Sequence, residues 1–413
     1  MLPKLGGVVM NELIEGMKLV KSYLEKLTVK IGERHVGSLG NVKAVDYFYD
    51  VLSSLDYDVQ RDEFDCIDWE CGEVNLIAGN EQYKAFVSPY SLPCDVKEEL
   101  VVVSTLGELK TADVSGKILL ITDELTKEQI MPKNFTFYNP DEHKEIVSIL
   151  EEKEPMGIIC VTKNEHGISG GLYPFPIFED GDFDIPSVYM KDIEAEKLIK
   201  YNGEKVTLSF YSRRISAKGN NVIAYKKSKR KGRLVFCAHI DTKKNTPGAL
   251  DNASGVAVLM MLAKQLNDYK GDYDIEIVAF NGEDYYSVPG QMLYMNQNNG
   301  KLHDIKMVIN IDGAGHKDSK AAISFYNVED NQIKDIMNTI DQNKSVIKGE
   351  EWYEGDHSMF LKQGVPCIAL TSSNVREVVM NITHTPKDVI DNVDPALLWE
   401  ISSALKNITI NFS

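Results

Sequence analysis

The sequence predicts an α/β fold with a mixed, mostly parallel sheet, helices on both of its faces, and a smaller β-rich α/β domain inserted into the chain. Three observations carry this. From Asn221 onward, six apolar runs have the composition of strands: NVIAYKK (221–227), GRLVFCAHID (232–241), YDIEIVAFNGED (273–284), IKMVINIDGAG (305–315), AAISFYN (321–327) and VPCIALTSS (365–373). Helical patterns fall between several of them, notably SGVAVLMMLAKQLNDY (254–269) and VEDNQIKDIMNTIDQN (328–343). Strands alternating with helices bury both faces of a sheet. The third observation is length, since 413 residues exceed one ordinary compact core.

In chain order, 11–27 have helical apolar spacing behind a candidate cap at Asn11. A second helix is expected at 41–55, followed by alternating sequence at 56–70 that reads as a strand near the sheet's edge. From about residue 80 the texture changes. Short strands at 100–104, 117–122 and 157–162 are separated by polar, proline-containing loops. DIPSVYM (184–190) and a short helix at 192–201 close the segment. The expected division is a catalytic domain of 1–82 and 213–413, with an insert of 83–212.

A net charge of −17 argues against nucleic acid or an anionic membrane as partner, since both need a basic surface. The first residues lack the apolar core of a signal peptide, and no run approaches the roughly 20 apolar residues of a membrane span. The six cysteines are scattered and form no CxxC pair. A reducing cytoplasm is therefore the expected setting. Oligomeric state is not legible.

In open α/β sheets, ligands bind beyond the carboxyl ends of the strands. One strand ends in His239 and Asp241, the next in Glu283 and Asp284, and a third near Asp312. Asp251 opens the following helix, and His384 lies in the loop after the last strand. Taken singly, each has an ordinary explanation: a hydrogen-bonded surface histidine, a helix cap, a turn residue. Their convergence at one edge points instead to metal binding. His239 and Asp241, two apart on an extended backbone, point to one side. Asp241 is then expected to accept a hydrogen bond from His239 and fix its tautomer. Asp251, at a helix start, is suited to remain ionised and to bridge two cations.

The stretches AHIDT, GALDNASGVA, FNGED, VINIDGAG, GDHSMF and ITHTPKD resemble, in the same order, the di-zinc aminopeptidase family that also contains glutamate carboxypeptidase and the glutaminyl cyclases. The resemblance implies the zinc aminopeptidase (phosphorylase/hydrolase-like) fold and two zinc ions. His239 and Asp312 would bind one ion, Asp284 and His384 the other, with Asp251 bridging. Glu283 would be the general base and Asp241 the partner of His239. The implied substrate is a peptide with a free N-terminus. Similarity of 83–212 to a protease-associated domain follows from texture more than from particular residues.

The chain also departs from the family pattern. Asp284 stands where relatives usually carry Glu, and Thr383 where several carry an oxyanion-stabilising Tyr. Tyr353 is the candidate substitute. His357 is expected to be a hydrogen-bonding scaffold, and His316 a surface residue. A carboxypeptidase would need cations for the substrate's terminal carboxylate, and beyond Arg233 only Arg376 is an arginine. Cyclase chemistry and a non-catalytic binding relative are the remaining alternatives.

Overall fold

The computed structural model describes residues 7–164, 172–229, 232–340 and 345–412. It divides into two compact units, one of Met1–Cys66 with Lys218–Ser413 and one of Ile67–Ala217. The chain leaves the first unit within β1 (Asp58–Cys71) and returns within β10 (Ser212–Lys226).

The larger unit is built on an eight-stranded sheet. Besides β1 and β10 it contains β11 (Arg233–His239), β12 (Asp274–Phe280), β13 (Ile305–Ile311), β14 (Ala321–Tyr326), β15 (Val346–Lys348) and β16 (Cys367–Ser372), in the order β1-β10-β12-β11-β13-β16-β14-β15. The pairings β12–β11, β11–β13, β13–β16 and β14–β15 are parallel, whereas β10–β12 and β14–β16 are antiparallel. The central strands β11, β12, β13 and β16 therefore end at one edge, bringing His239, Phe280, Ile311 and Ser372 together there.

Alternation along these strands separates the two faces. Leu234, Phe236 and Ala238 of β11 join Ile275, Ile277 and Ala279 of β12 in one apolar core. Helices Gly7–Leu24, Ser254–Gln265 and Pro395–Asn411 contribute to the same core through Val20, Val256 and Leu398. On the opposite face, Phe280 packs edge-on against Tyr294 of helix Pro289–Gln297, and Phe360 of helix His357–Leu361 joins them. Tyr294 also donates to the fully buried Glu276 (2.6 Å), which Arg233 meets at 3.1 Å.

Helix Leu39–Ser53 is capped by Ser38, whose hydroxyl accepts from the Asn41 N–H (3.0 Å). The first helix starts at Gly7 and runs on as a wider turn through Ile31, so Asn11 is an interior residue and not its cap. The helix expected at 328–343 covers Asp330–Ile340, and 341–343 lie outside the described residues.

The smaller unit holds a second mixed sheet. It consists of β2 (Asn75–Ala78), β3 (Glu81–Tyr83), β4 (Phe86–Val87), β5 (Cys94–Val103), β6 (Ile118–Ile121), β7 (Gly157–Thr162), β8 (Ser187–Lys191) and β9 (Lys205–Phe210), in the order β3-β2-β9-β5-β6-β7-β8-β4. It opens at Ile67 and not near residue 83, because β2 and β3 pair with each other and with β9. Among the described residues, no helix is long and apolar enough to cross a membrane.

Candidate metal centre

Beyond the strand ends, five side chains converge. Asp251 faces two imidazoles: its Oδ1 lies 3.0 Å from His239 Nε2, and its Oδ2 lies 3.0 Å from His384 Nε2. His239 Nε2 is also 3.4 Å from Asp312 Oδ1, and His384 Nε2 is 2.9 Å from Asp284 Oδ1. Hence His239 pairs with Asp312 and His384 with Asp284, while Asp251 divides its two oxygens between the pairs. His239 and Asp284 are deeply buried, whereas the side chains of Asp312 and His384 keep 16% and 25% exposure, which makes them the accessible side of the cluster.

Each candidate ligand is set by its backbone. Gly282 adopts a φ of +118°, open to glycine, and turns the chain sharply after β12. The fully buried Asp241 carboxylate then accepts the N–H groups of Gly282 (2.7 Å), Glu283 (3.3 Å) and Asp284 (3.0 Å). This loop is thereby fixed with Asp284 directed at His384. Asp251 lies in the turn Ala249–Ala253 that leads into helix Ser254–Gln265. The N–H groups of Leu250 and Asp251 are taken by the Asp388 carboxylate (2.7 and 3.0 Å).

Asp241 corrects one expectation. Its carboxylate is 3.7 Å from His239 Nδ1, and its main-chain carbonyl, at 3.2 Å, is the nearer acceptor. The carboxylate is committed to the backbone of 282–284, so the tautomer of His239 is set by the carbonyl. A carbonyl only accepts, so Nδ1 carries the hydrogen and Nε2 is the atom turned toward Asp251 and Asp312.

The electrostatics suit a candidate cation site. Burial alone would lower the His239 pKa, but the Asp312 charge and the facing carboxylates of Asp241, Asp251 and Asp312 raise it well above its usual value. His384 behaves likewise, through Asp284 and Asp251. Burial raises the Glu283 carboxyl well above its usual range; His239 opposes this, and Asp312, Asp284 and Asp356 reinforce it. Burial likewise pushes Asp356 up to about 7. His239 Nε2 and Asp284 Oδ2 are buried without a hydrogen-bond partner. One ligand atom each from His239, Asp251 and Asp284 can lie within 4.8 Å of one another. Imidazole and carboxylate donors so arranged fit zinc, which accepts both.

The remaining candidates lie apart from this cluster. The Tyr353 hydroxyl donates to Glu351 (2.5 Å) and the residue is 60% exposed, so the described contacts do not bring it to the ligands. His357 has both ring nitrogens engaged: Nε2 donates to the Trp352 carbonyl (2.9 Å), and Nδ1 faces the Asn310 amide (3.4 Å). His316, expected at the surface, is buried; its Nδ1 lies 3.1 Å from the Asn374 amide, because the chain after Asp312 folds back beneath Val393. Arg376 is exposed on helix Val375–Asn381, and Thr383 is buried.

Residues 220–409 match the model of peptidase family M28. They form an M28 peptidase domain. Over 398 residues the chain is 25% identical to "Aminopeptidase YwaD" of Bacillus subtilis, covering 92% of this chain and 81% of that protein. It is 23% identical to "Leucine aminopeptidase 2" of Trichophyton rubrum, over 92% and 75% of the two chains. Among solved structures, an aminopeptidase from Aneurinibacillus sp. strain AM-1 superposes with a TM-score of 0.74 at 22% identity, covering 95% of this chain and 93% of that one. BSAP, a zinc aminopeptidase from Bacillus subtilis, gives 0.71 at 21% identity, over 95% and 94%. These two likenesses establish the fold.

All five clustered candidate ligands and Glu283 fall inside the M28 domain, as does Asp388. Asp388 ends the ITHTPKD stretch, yet sequence reading assigned it no role. Its partners are the Leu250 and Asp251 amides, more than 130 positions away, and no local pattern announces such a contact.

Proposed function

We propose that the M28 domain is a zinc-dependent aminopeptidase hydrolysing the N-terminal bond of peptides. The observation that carries this reading is the Asp251 carboxylate, whose two oxygens each stand 3.0 Å from a different imidazole. In this reading two zinc ions are held, one by His239 and Asp312 and the other by Asp284 and His384, with Asp251 shared. Zinc, when bound, supplies Lewis acidity toward the scissile carbonyl and lowers the pKa of water toward about 7.

Glu283 takes a proton from the attacking water and returns it to the leaving amine. Its support is its position next to Asp284 and its raised carboxyl pKa, set first by burial. A carboxyl that holds a proton readily suits a group that must carry one between two steps. Asp241 holds the main chain of Glu283 and Asp284 still. The free N-terminus of the substrate is supported by the aminopeptidase names of the relatives. The same reading takes the smaller unit as an inserted domain resembling protease-associated domains.

The test combines metal analysis with hydrolysis of an aminoacyl anilide, with and without chelator, and of N-acetylated and C-amidated forms of one peptide. Metal-dependent cleavage of the free-amine forms is expected. Cleavage of the N-acetylated peptide alone, or activity that survives full metal removal, overturns the proposal.

A further inference from the structure

The stretch GERHVGSLGN (32–41) lies outside the residues matched by the M28 model, and it carries none of the metal-ligand candidates. It nevertheless holds a fully buried arginine, Arg34. A guanidinium without water is costly unless its donors are all engaged. Here they go to backbone carbonyls. Nε donates to Ile240 (3.1 Å), Nη1 to Pro247 (2.7 Å) and Gly32 (3.0 Å), and Nη2 to Gly248 (2.9 Å).

These acceptors are next to the ligands. Ile240 sits between His239 and Asp241. Gly248 precedes Asp251 by three positions, and its carbonyl also receives the Ala253 N–H (3.0 Å), closing the turn that carries Asp251. Gly248 has a φ of +58°, and a Cβ there would stand 3.0 Å from Arg34 Nη2 and 2.2 Å from the Thr242 methyl. The arginine and this turn are therefore built against each other. The Arg34 main chain is held in turn: its N–H donates to Thr242 Oγ1 (2.9 Å), and its carbonyl accepts from the Asn41 amide (2.9 Å). Asn41 and Asn281 exchange amide hydrogen bonds of 2.8 and 2.9 Å, which ties the same stretch to the chain two positions before Glu283.

We propose that Arg34 is a positioning residue of the metal centre, bracing the end of β11 against the Asp251 turn so that His239 and Asp251 keep their mutual geometry. It rests on the metallopeptidase reading above. The guanidinium spans the two segments because its donors are fixed in a planar fork. A lysine ammonium, a compact point with three donors, does not reach Ile240, Pro247 and Gly248 together. Burial lowers the Arg34 pKa to about 10, against the raising influence of Asp388, Asp241, Asp251 and Asp284, so it is a cation at neutral pH. Its charge also eases the repulsion among the ligand carboxylates.

The test uses the full chain carrying Arg34→Lys or Arg34→Met, with Arg233→Met as comparator. Arg233 is also largely buried and ion-paired, but it stands at the opposite end of β11. Zinc affinity is measured by competition with a chromophoric chelator, and ligand geometry by the visible absorption of the cobalt(II)-substituted protein. Loss of a group that orients metal ligands costs about 10–100-fold in affinity. Both Arg34 variants are expected to lose that much and to show altered cobalt spectra, while Arg233→Met loses thermal stability and keeps wild-type affinity. If Arg34→Met does not fold, Arg34→Lys, which keeps the charge and most of the volume, decides alone. Wild-type affinity and spectrum in Arg34→Lys, or equal losses in the Arg34 and Arg233 variants, overturn the proposal. A wild-type protein that takes up no metal overturns the metallopeptidase reading with it.

Discussion

Two neighbouring acids leave β12 with different surroundings. Asp284 is within 2.9 Å of His384, whereas Glu283 feels His239, Asp312 and Asp356 and makes no described hydrogen bond through its side chain. Glu283→Gln is expected to keep zinc while turnover falls by at least about 10²–10⁴-fold, the usual contribution of a general base. Metal analysis and kinetics on one preparation check this, and retained activity removes Glu283 from the role. Asp284→Ala or His384→Ala is expected to lower metal content instead. His384 is 25% exposed and His239 only 1%, and Asp is one methylene shorter than the Glu usual in this family. The position formed by His384 and Asp284 should therefore fill second in a zinc titration. Two equally tight sites would contradict that order.

At the scale of elements, the turn after β12 depends on Asp241 and on close backbone packing. Asp241→Ala would strand the N–H groups of Gly282, Glu283 and Asp284, with an expected cost of roughly 3 kcal/mol readable by denaturant unfolding. Gly290 is the neighbouring constraint, since a Cβ there would stand 2.3 Å from Asn221 Oδ1 and 2.4 Å from the Asn281 carbonyl. Gly290→Ala must push these apart. The expected result is lower stability and a loosened metal site, seen as faster zinc release to a chelator. Unchanged release would show that the turn tolerates the shift.

For the whole molecule, the five clustered candidate ligands belong to one compact unit. Calorimetry should then show that a chelator lowers the unfolding transition of the larger unit and leaves that of the smaller unit in place. Ligand present at 100 times its Kd stabilises by about 2.7 kcal/mol. The pH dependence should change sign with metal. In the metal-free protein the folded pKa values of His239 and His384 are raised. Their stabilisation is complete below the unfolded value of about 6.5 and is lost as pH rises through the folded values. Asp356, pushed up to about 7, acts in the same direction between its usual value and 7. Zinc must displace protons from both imidazoles, so its affinity and the stability it adds rise with pH. Thermal scans across pH 5–8 with and without chelator separate the two slopes; parallel slopes would count against the site.

Much of this was legible in the order of residues alone. Continuous apolar runs and helical spacing mark strands and helices because burial leaves a pattern along the chain. The open α/β rule then directs attention to strand ends, where His239, Glu283, Asp284 and Asp312 stand. Contacts between distant segments leave no such pattern. The tertiary structure alone decided that Asp388 holds the Asp251 amide, that the Asp241 carboxylate serves backbone N–H groups and not the His239 ring, and that His316 is buried. Arg34 is the clearest case: its acceptors Ile240, Pro247 and Gly248 lie more than 200 positions away. Backbone carbonyls are present at every residue, so nothing in the amino-acid order says which of them a buried guanidinium will find; only the folded path of the chain does.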